Sequence, residues 1–157
     1  MDKIKPLVSI IIINSRGLQH GDWVNNSIQS ALHQNIPVDV IEIKNLNREK
    51  TIGKSWNEGV KLAKCDYVFF LGDDDYIAFS HCEMLYRWFN SDRIKNSRVQ
   101  NISSYMTAFE DETGKTALAR QNTGMWKKDY LLKYPFNENL TRGDGIVTGK
   151  QIGRAHV

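Results

Sequence analysis

Leu7-Val8-Ser9-Ile10-Ile11-Ile12-Ile13 is an almost unbroken β-branched run. Side chains alternate between the two faces of a strand, so a run that is apolar at odd and even positions alike has to be covered on both sides. This predicts a central strand between two helical layers rather than one wall of a sandwich. The run stops at the polar Asn14-Ser15-Arg16-Gly17. From Trp23 to Gln34, the apolar Trp23, Val24, Ile28, Ala31 and Leu32 recur at helical spacing, with Asp22 as a fitting N-cap. Val38 to Ile43 reads as a second strand, and Thr51 to Lys64 as a second helix with Ile52, Trp56, Val60 and Ala63 on one side. Tyr67-Val68-Phe69-Phe70-Leu71 is a third strand, again apolar on both faces, and Ser80 to Phe89 a third helix carrying Met84, Leu85, Trp88 and Phe89.

Strand and helix alternating three times is the pattern of an α/β fold with a parallel sheet and crossover helices. Ligands in such folds sit beyond the C-terminal strand ends. Three loops are thereby placed at one edge: Asn14 to Gly17, Lys44 to Thr51, and Gly72 to Asp75. The remainder is less regular. Val99 to Phe109 supplies a strand, Glu110 to Lys115 a polar turn, and Thr116 to Arg120 a returning strand. Trp126 to Leu132 and Asp144 to Gly153 read as short helices. With 157 residues, no internal repeat and no linker, the expectation is one domain.

The third strand runs directly into Gly72-Asp73-Asp74-Asp75. Adjacent carboxylates raise the cost of ionising one another unless cations or hydrogen-bond donors offset it. A hard divalent ion, Mn²⁺ or Mg²⁺, is one such partner, because it takes oxygen ligands and pairs with phosphates. Asp74 and Asp75 are the leading ligands, with Asp73 close behind. The alternative is a solvated acidic turn that caps the following helix.

Val8-Ser9-Ile10-Ile11-Ile12 and Ser27-Ile28-Gln29-Ser30-Ala31-Leu32-His33-Gln34 resemble the opening of the family 2 glycosyltransferases, which have the GT-A fold. Gly53-Lys54-Ser55-Trp56-Asn57-Glu58-Gly59 is similar to that family's segment ending in Asn-x-Gly. Cys65 to Asp75 is similar to its strand leading into the metal-binding DxD motif. These pieces fit in order over residues 7 to 90. The resemblance implies a Rossmann-like, mostly parallel sheet flanked by helices, with residues 7–90 as a nucleotide-binding half and 91–157 as an acceptor-side half. It also implies a donor that is a nucleotide-diphosphate sugar, an acceptor that is a glycan, lipid or small molecule, and inversion at the anomeric carbon. A carboxylate would deprotonate the acceptor hydroxyl. Phe136 to Asp144 resembles the family segment that carries this base, making Asp144 the candidate and Glu138 the reserve. On local grounds Asp144 is equally a helix N-cap.

The chain departs from the family pattern in several places. Glu42-Ile43-Lys44-Asn45 stands where an Asp-rich turn helps to hold the nucleotide base. Asn14-Ser15-Arg16 replaces a Pro and an aromatic, Gly143-Asp144 replaces a Glu-Asp pair, and Gly72 occupies the place of the first motif aspartate in one alignment; moving the register by one residue pairs Asp73 with Asp75.

Arg16, at the ligand edge, is placed to contact a base or phosphate, or is an ordinary surface arginine. Asn57, inward-facing near the acidic loop, would hold the nucleotide or position an aspartate. Trp56 and Trp88 read as core. Trp126 is core or a sugar-stacking platform on the acceptor side. His20, His33, His81 and His156 have no metal-site spacing, although some GT-A enzymes take a late histidine as an additional ligand.

Cys65 and Cys82 read as reduced, partly buried thiols, and no Cys/His cluster offers a zinc site. Val8 to Ile13 is too short to span a bilayer and lacks signal-peptide flanks, so the expected location is cytoplasmic with no integral membrane segment. The net charge of +3, with Lys and Arg scattered, does not support nucleic-acid binding. A nucleotidyltransferase would carry a glycine-rich basic loop after the first strand, which Asn14 to Gly21 is not. A nucleotide-sugar or glycan-binding module without turnover is the alternative to the enzyme.

Overall fold

The computed structural model describes residues 3–16, 22–109, 116–120 and 124–139. Strand β1 (Val8–Asn14) is followed by helix α1 (Trp23–Leu32), β2 (Val38–Lys44), α2 (Ile52–Leu62), β3 (Tyr67–Leu71) and α3 (His81–Phe89). Then come β4 (Asn101–Ile102), β5 (Tyr105–Phe109), β6 (Thr116–Arg120), β7 (Met125–Lys127) and α4 (Lys128–Lys133). One sheet has the order β2-β1-β3-β7-β4, and β5 and β6 form a separate antiparallel pair. β1 lies parallel to both β2 and β3, whereas β7 is antiparallel to β3 and to β4. The parallel half thus follows the strand-helix alternation, and the antiparallel half completes a mixed sheet.

The doubly apolar strands are covered as their sequences require. Val8, Ile10 and Ile12 of β1 join Phe69 and Leu71 of β3 under Ala31 of α1 and Cys82, Leu85 and Phe89 of α3. The alternate positions Ile11, Val68 and Phe70 pack with Trp56 and Val60 of α2, Leu131 of α4 and Phe136. Ser9 interrupts the apolar run for a structural reason. Its hydroxyl donates to Asp39 and accepts the amides of Lys64 and Cys65, tying the α2–β3 turn to the edge opposite the strand C-termini. Gly59 brings α2 onto β1 at close range, because a Cβ there would overlap Ile11 Cγ2 and lie 3.2 Å from its Cδ1.

Several local expectations change. Met125–Lys127 forms β7 before the short helix begins, because the free edge of β3 recruits it as a pairing partner. Asp22 makes no side-chain capping bond to α1. Trp88 and Met84 lie on the outer face of α3, 48% and 45% exposed, so they are not core; Leu85, Phe89 and Cys82 turn inward instead. Trp126 is buried, stacked on Tyr130 and edge-on to Phe136, which makes it core and closed to a sugar ring. Cys65 and Cys82 are both buried free thiols, and burial pushes Cys82 up to about 12. The expected helix over Asp144 to Gly153 lies outside the described residues. Among the described residues no helix is long and apolar enough to cross a membrane.

Candidate functional site at the carboxyl edge of the parallel strands

β1 and β3 are neighbours, so the loops that follow them lie side by side at the carboxyl edge. This juxtaposition sets the geometry of the acidic loop. Asp73 is 6% exposed, and both of its oxygens are held. Oδ2 accepts the Ser15 backbone N–H at 2.9 Å and the Ser15 hydroxyl at 3.3 Å, while Oδ1 accepts Arg16 Nε at 2.9 Å. The same guanidinium reaches Asp74 Oδ2 through Nη2 at 2.7 Å. Arg16 therefore bridges two consecutive carboxylates, and its Cζ lies 5.7 Å from the ring centroid of Trp23.

Asp75 has a different environment. Among the described residues its carboxylate has no hydrogen-bond or ion-pair partner, and its Oδ2 folds back over Gly72. An ideal Cβ on Gly72 would lie 2.5 Å from that oxygen and 3.2 Å from Asp74 Oδ1. The missing side chain thus leaves a small cradle where one oxygen of each carboxylate converges. Burial chiefly, then the charges of Asp74 and Asp73, raise the Asp75 pKa, with Arg16 opposing. An acid whose folded pKa is raised contributes stability that is complete below its unfolded value, near 3.8, and lost as pH rises through the folded value. Asp75→Asn is accordingly expected to raise the melting temperature at pH 7 by roughly 1–3 °C. The gain should vanish in melts at or below the ordinary carboxyl pKa of 3.8. A neutral-pH melting temperature at or below that of wild type would contradict this assignment of strain.

These residues can be tested for fit to a divalent ion. No three His, Cys, Asp or Glu side chains converge as a ligand set among the described residues. Asp73 is withdrawn from the expected trio, because its oxygens belong to Ser15 and Arg16. Asp74 Oδ1 and Asp75 Oδ2 remain, both facing the Gly72 cradle. Mg²⁺ and Mn²⁺ sites that handle phosphates are commonly completed by one or two carboxylates, substrate oxygens and water, so this pair fits such an ion.

The loop is held from behind by one polar stripe of α1. Ser27, fully buried, donates its hydroxyl to the Gly72 carbonyl at 2.8 Å. Ser30 accepts the Ile77 amide, and Gln34 accepts the Cys82 amide while donating to Ala78. The spacing of three and then four residues between these side chains puts them on one helix face. They went unrecognised at the sequence level, although that periodicity beside an apolar stripe was a usable signal. Ser15 offered no comparable signal, since its partner is remote in the chain.

The family model described as "Glycosyl transferase family 2" matches residues 26–149, most of the chain. The chain belongs to glycosyl transferase family 2. No curated protein matches it. Solved structures similar to it include TarS of S. aureus, with a TM-score of 0.56 at 13% identity over 86% of this chain and 31% of that one. TarS 1-349 in complex with UDP gives 0.56 at 12% identity, covering 86% and 51%. The same fragment in complex with UDP-GlcNAc gives 0.56 at 12%, covering 85% and 49%. The chain thus spans about a third to a half of the length of these structures, and the likeness supports the GT-A fold.

In this family 2 chain, Asn57 sits in a second polar cluster. Its amide donates to the Phe136 carbonyl at 2.9 Å and accepts the Phe136 N–H at 2.9 Å, entirely out of solvent. Glu138 Oε1 lies 3.4 Å from the same Nδ2. Asn57 is thus a clamp on the backbone before Glu138, and its amide is directed away from the acidic loop. Thr51, the N-cap of α2, accepts the Lys54 amide and donates to the Glu138 carbonyl. Gly53 admits the same segment, because a Cβ there would overlap the Asn137 carbonyl oxygen. Asp144 and His156 lie outside the described residues, as does His20.

Proposed function

We propose that the chain is a glycosyltransferase catalytic domain that moves a sugar from a nucleotide-diphosphate sugar to an acceptor hydroxyl, with inversion. The observation that carries this reading is the acidic loop of a family 2 chain, presented at the carboxyl edge of β3 and faced by Arg16. Residues 7–90 form the donor half and 91–157 the acceptor half of one domain. The titles of the TarS structures name UDP and UDP-GlcNAc, which makes uridine the first nucleotide to test.

Asp74 and Asp75 would hold Mn²⁺ or Mg²⁺, which when bound supplies Lewis-acid stabilisation of the leaving diphosphate. Arg16 adds positive charge toward the phosphates. Asp73 orients Arg16 and the β1 loop. The acceptor oxygen attacks the anomeric carbon as the bond to the diphosphate oxygen breaks, and its proton passes to a carboxylate. Asp144 is the base by family likeness. Glu138 is the reserve, oriented by Asn57 and Thr51. The second reading is a nucleotide-sugar-binding module without turnover; the occupation of Asp73 and Asp74 by Arg16 favours it.

Calorimetric titration with UDP, GDP, dTDP and CDP, each with Mn²⁺ and with EDTA, tests the donor site. One diphosphate is expected to bind selectively, with the ion required and binding lost in Asp74→Ala. Absence of binding by all four to folded protein would overturn the assignment. Ion-dependent binding without transfer or hydrolysis of the matching sugar nucleotide would select the module.

A further inference from the structure

We propose that Arg16 is an internal counter-ion that a divalent cation displaces from Asp74, and that the displaced arm of the guanidinium then binds the donor diphosphate. This rests on the donor-site reading above. The two ends of the Arg16 bridge are unlike. Nε holds Asp73, which is buried and further fixed by the Ser15 amide and hydroxyl. Nη2 holds Asp74, whose side chain is 41% exposed and has no other partner among the described residues. A bridge with one deeply held end and one solvent-facing end releases at the exposed end first, because a surface ion pair contributes little while a buried one resists separation.

Charge balance supplies the reason for release. Asp73, Asp74 and Asp75 face one guanidinium at the loop, an excess of two negative charges. A divalent ion on Asp74 Oδ1 and Asp75 Oδ2 would cancel that excess, so the Nη2–Asp74 contact would no longer be needed. An arriving diphosphate restores negative charge, and the freed arm, still anchored through Nε and placed against Trp23, is available to it. The fork geometry matters because a guanidinium can keep one partner while exchanging another, which an ammonium on a flexible stem does poorly. Arginine at this position would therefore weaken the empty loop for metal and strengthen the loaded loop for nucleotide.

The test uses Arg16→Gln and Arg16→Lys, each checked for folding by circular dichroism. Mn²⁺ binding without nucleotide is followed by water-proton relaxation, and UDP binding at saturating Mn²⁺ by calorimetry. Removing a neighbouring positive charge is expected to tighten Mn²⁺ alone about tenfold in R16Q and to weaken UDP by about tenfold or more. R16K, which keeps the charge and loses the fork, should hold Mn²⁺ within about twofold of wild type yet still lose UDP affinity. Mn²⁺ affinity in R16Q equal to or below wild type, or Mn²⁺ binding by neither protein, overturns the displacement. UDP affinity unchanged in both variants overturns the transfer of the arm. Wild-type protein that binds Mn²⁺ but no nucleoside diphosphate overturns the donor reading and the arm transfer together, while the Mn²⁺ comparison still decides the displacement. If R16Q does not fold, R16K decides: UDP affinity equal to wild type refutes the proposal.

Discussion

Gly53→Ala is expected to lower the melting temperature by about 5–10 °C, even though alanine is the better helix former. Gly53 is the second residue of α2, where the intrinsic gain from alanine is at most about 1 kcal/mol. Against that stands an overlap between the new methyl group and the Asn137 carbonyl oxygen, with the carbonyl carbon only 2.9 Å away. The obstacle is backbone, so no rotamer change relieves it. Overpacking of this kind costs about 1–3 kcal/mol, and moving the 136–138 segment also strains its hydrogen bonds to Asn57. The unfavourable terms win. Thermal and urea melts of the variant decide the matter, and a melting temperature at or above that of wild type would show that the segment is not seated against α2.

Asn57→Ala should cost about 2–4 kcal/mol, since it leaves two buried backbone groups of Phe136 without their partners. Phe136 is 2% exposed and packs on Trp56, Phe70 and Trp126, so water has little access to repair the loss. Urea unfolding measures it, and a change under about 0.5 kcal/mol would place Asn57 outside the stability framework. Because both substitutions loosen the same contact, the Gly53→Ala/Asn57→Ala double variant should be less destabilised than the two losses added together.

The parallel half of the fold was legible because β1 and β3 are apolar on both faces, a pattern that only covering helices can satisfy. α3 shows where that reading stops. Its apolar residues Met84, Leu85, Trp88 and Phe89 fill more than one face of the helix, and periodicity alone does not say which pair turns inward; contacts with Tyr67 and the sheet choose Phe89. β7 was missed because a three-residue strand carries too little pattern of its own and exists through the exposed edge of β3. At the candidate site, the sequence presents Asp73, Asp74 and Asp75 as three like carboxylates. Ser15 and Arg16, which come from the far end of the neighbouring strand, distinguish them by holding Asp73 inside and leaving Asp75 without a cation. Asn57 was legible as an inward polar residue, but its direction depends on Phe136, far along the chain.

The insertion of β7 between β3 and β4 also governs the order of assembly. Tyr67 pairs with Lys127, sixty positions later in the chain, so β3 has an unpaired edge during synthesis until residues 125–127 emerge. Closing that gap requires a long loop entropy before any ladder bond is gained, which places this docking late and makes it slow. In the interval, the nascent chain exposes an apolar strand edge of Val68, Phe69 and Phe70 to its neighbours, the kind of edge that aggregates when it is left open. The pairing that finishes the native sheet is thus also the step at which a growing polypeptide is most in need of a chaperone.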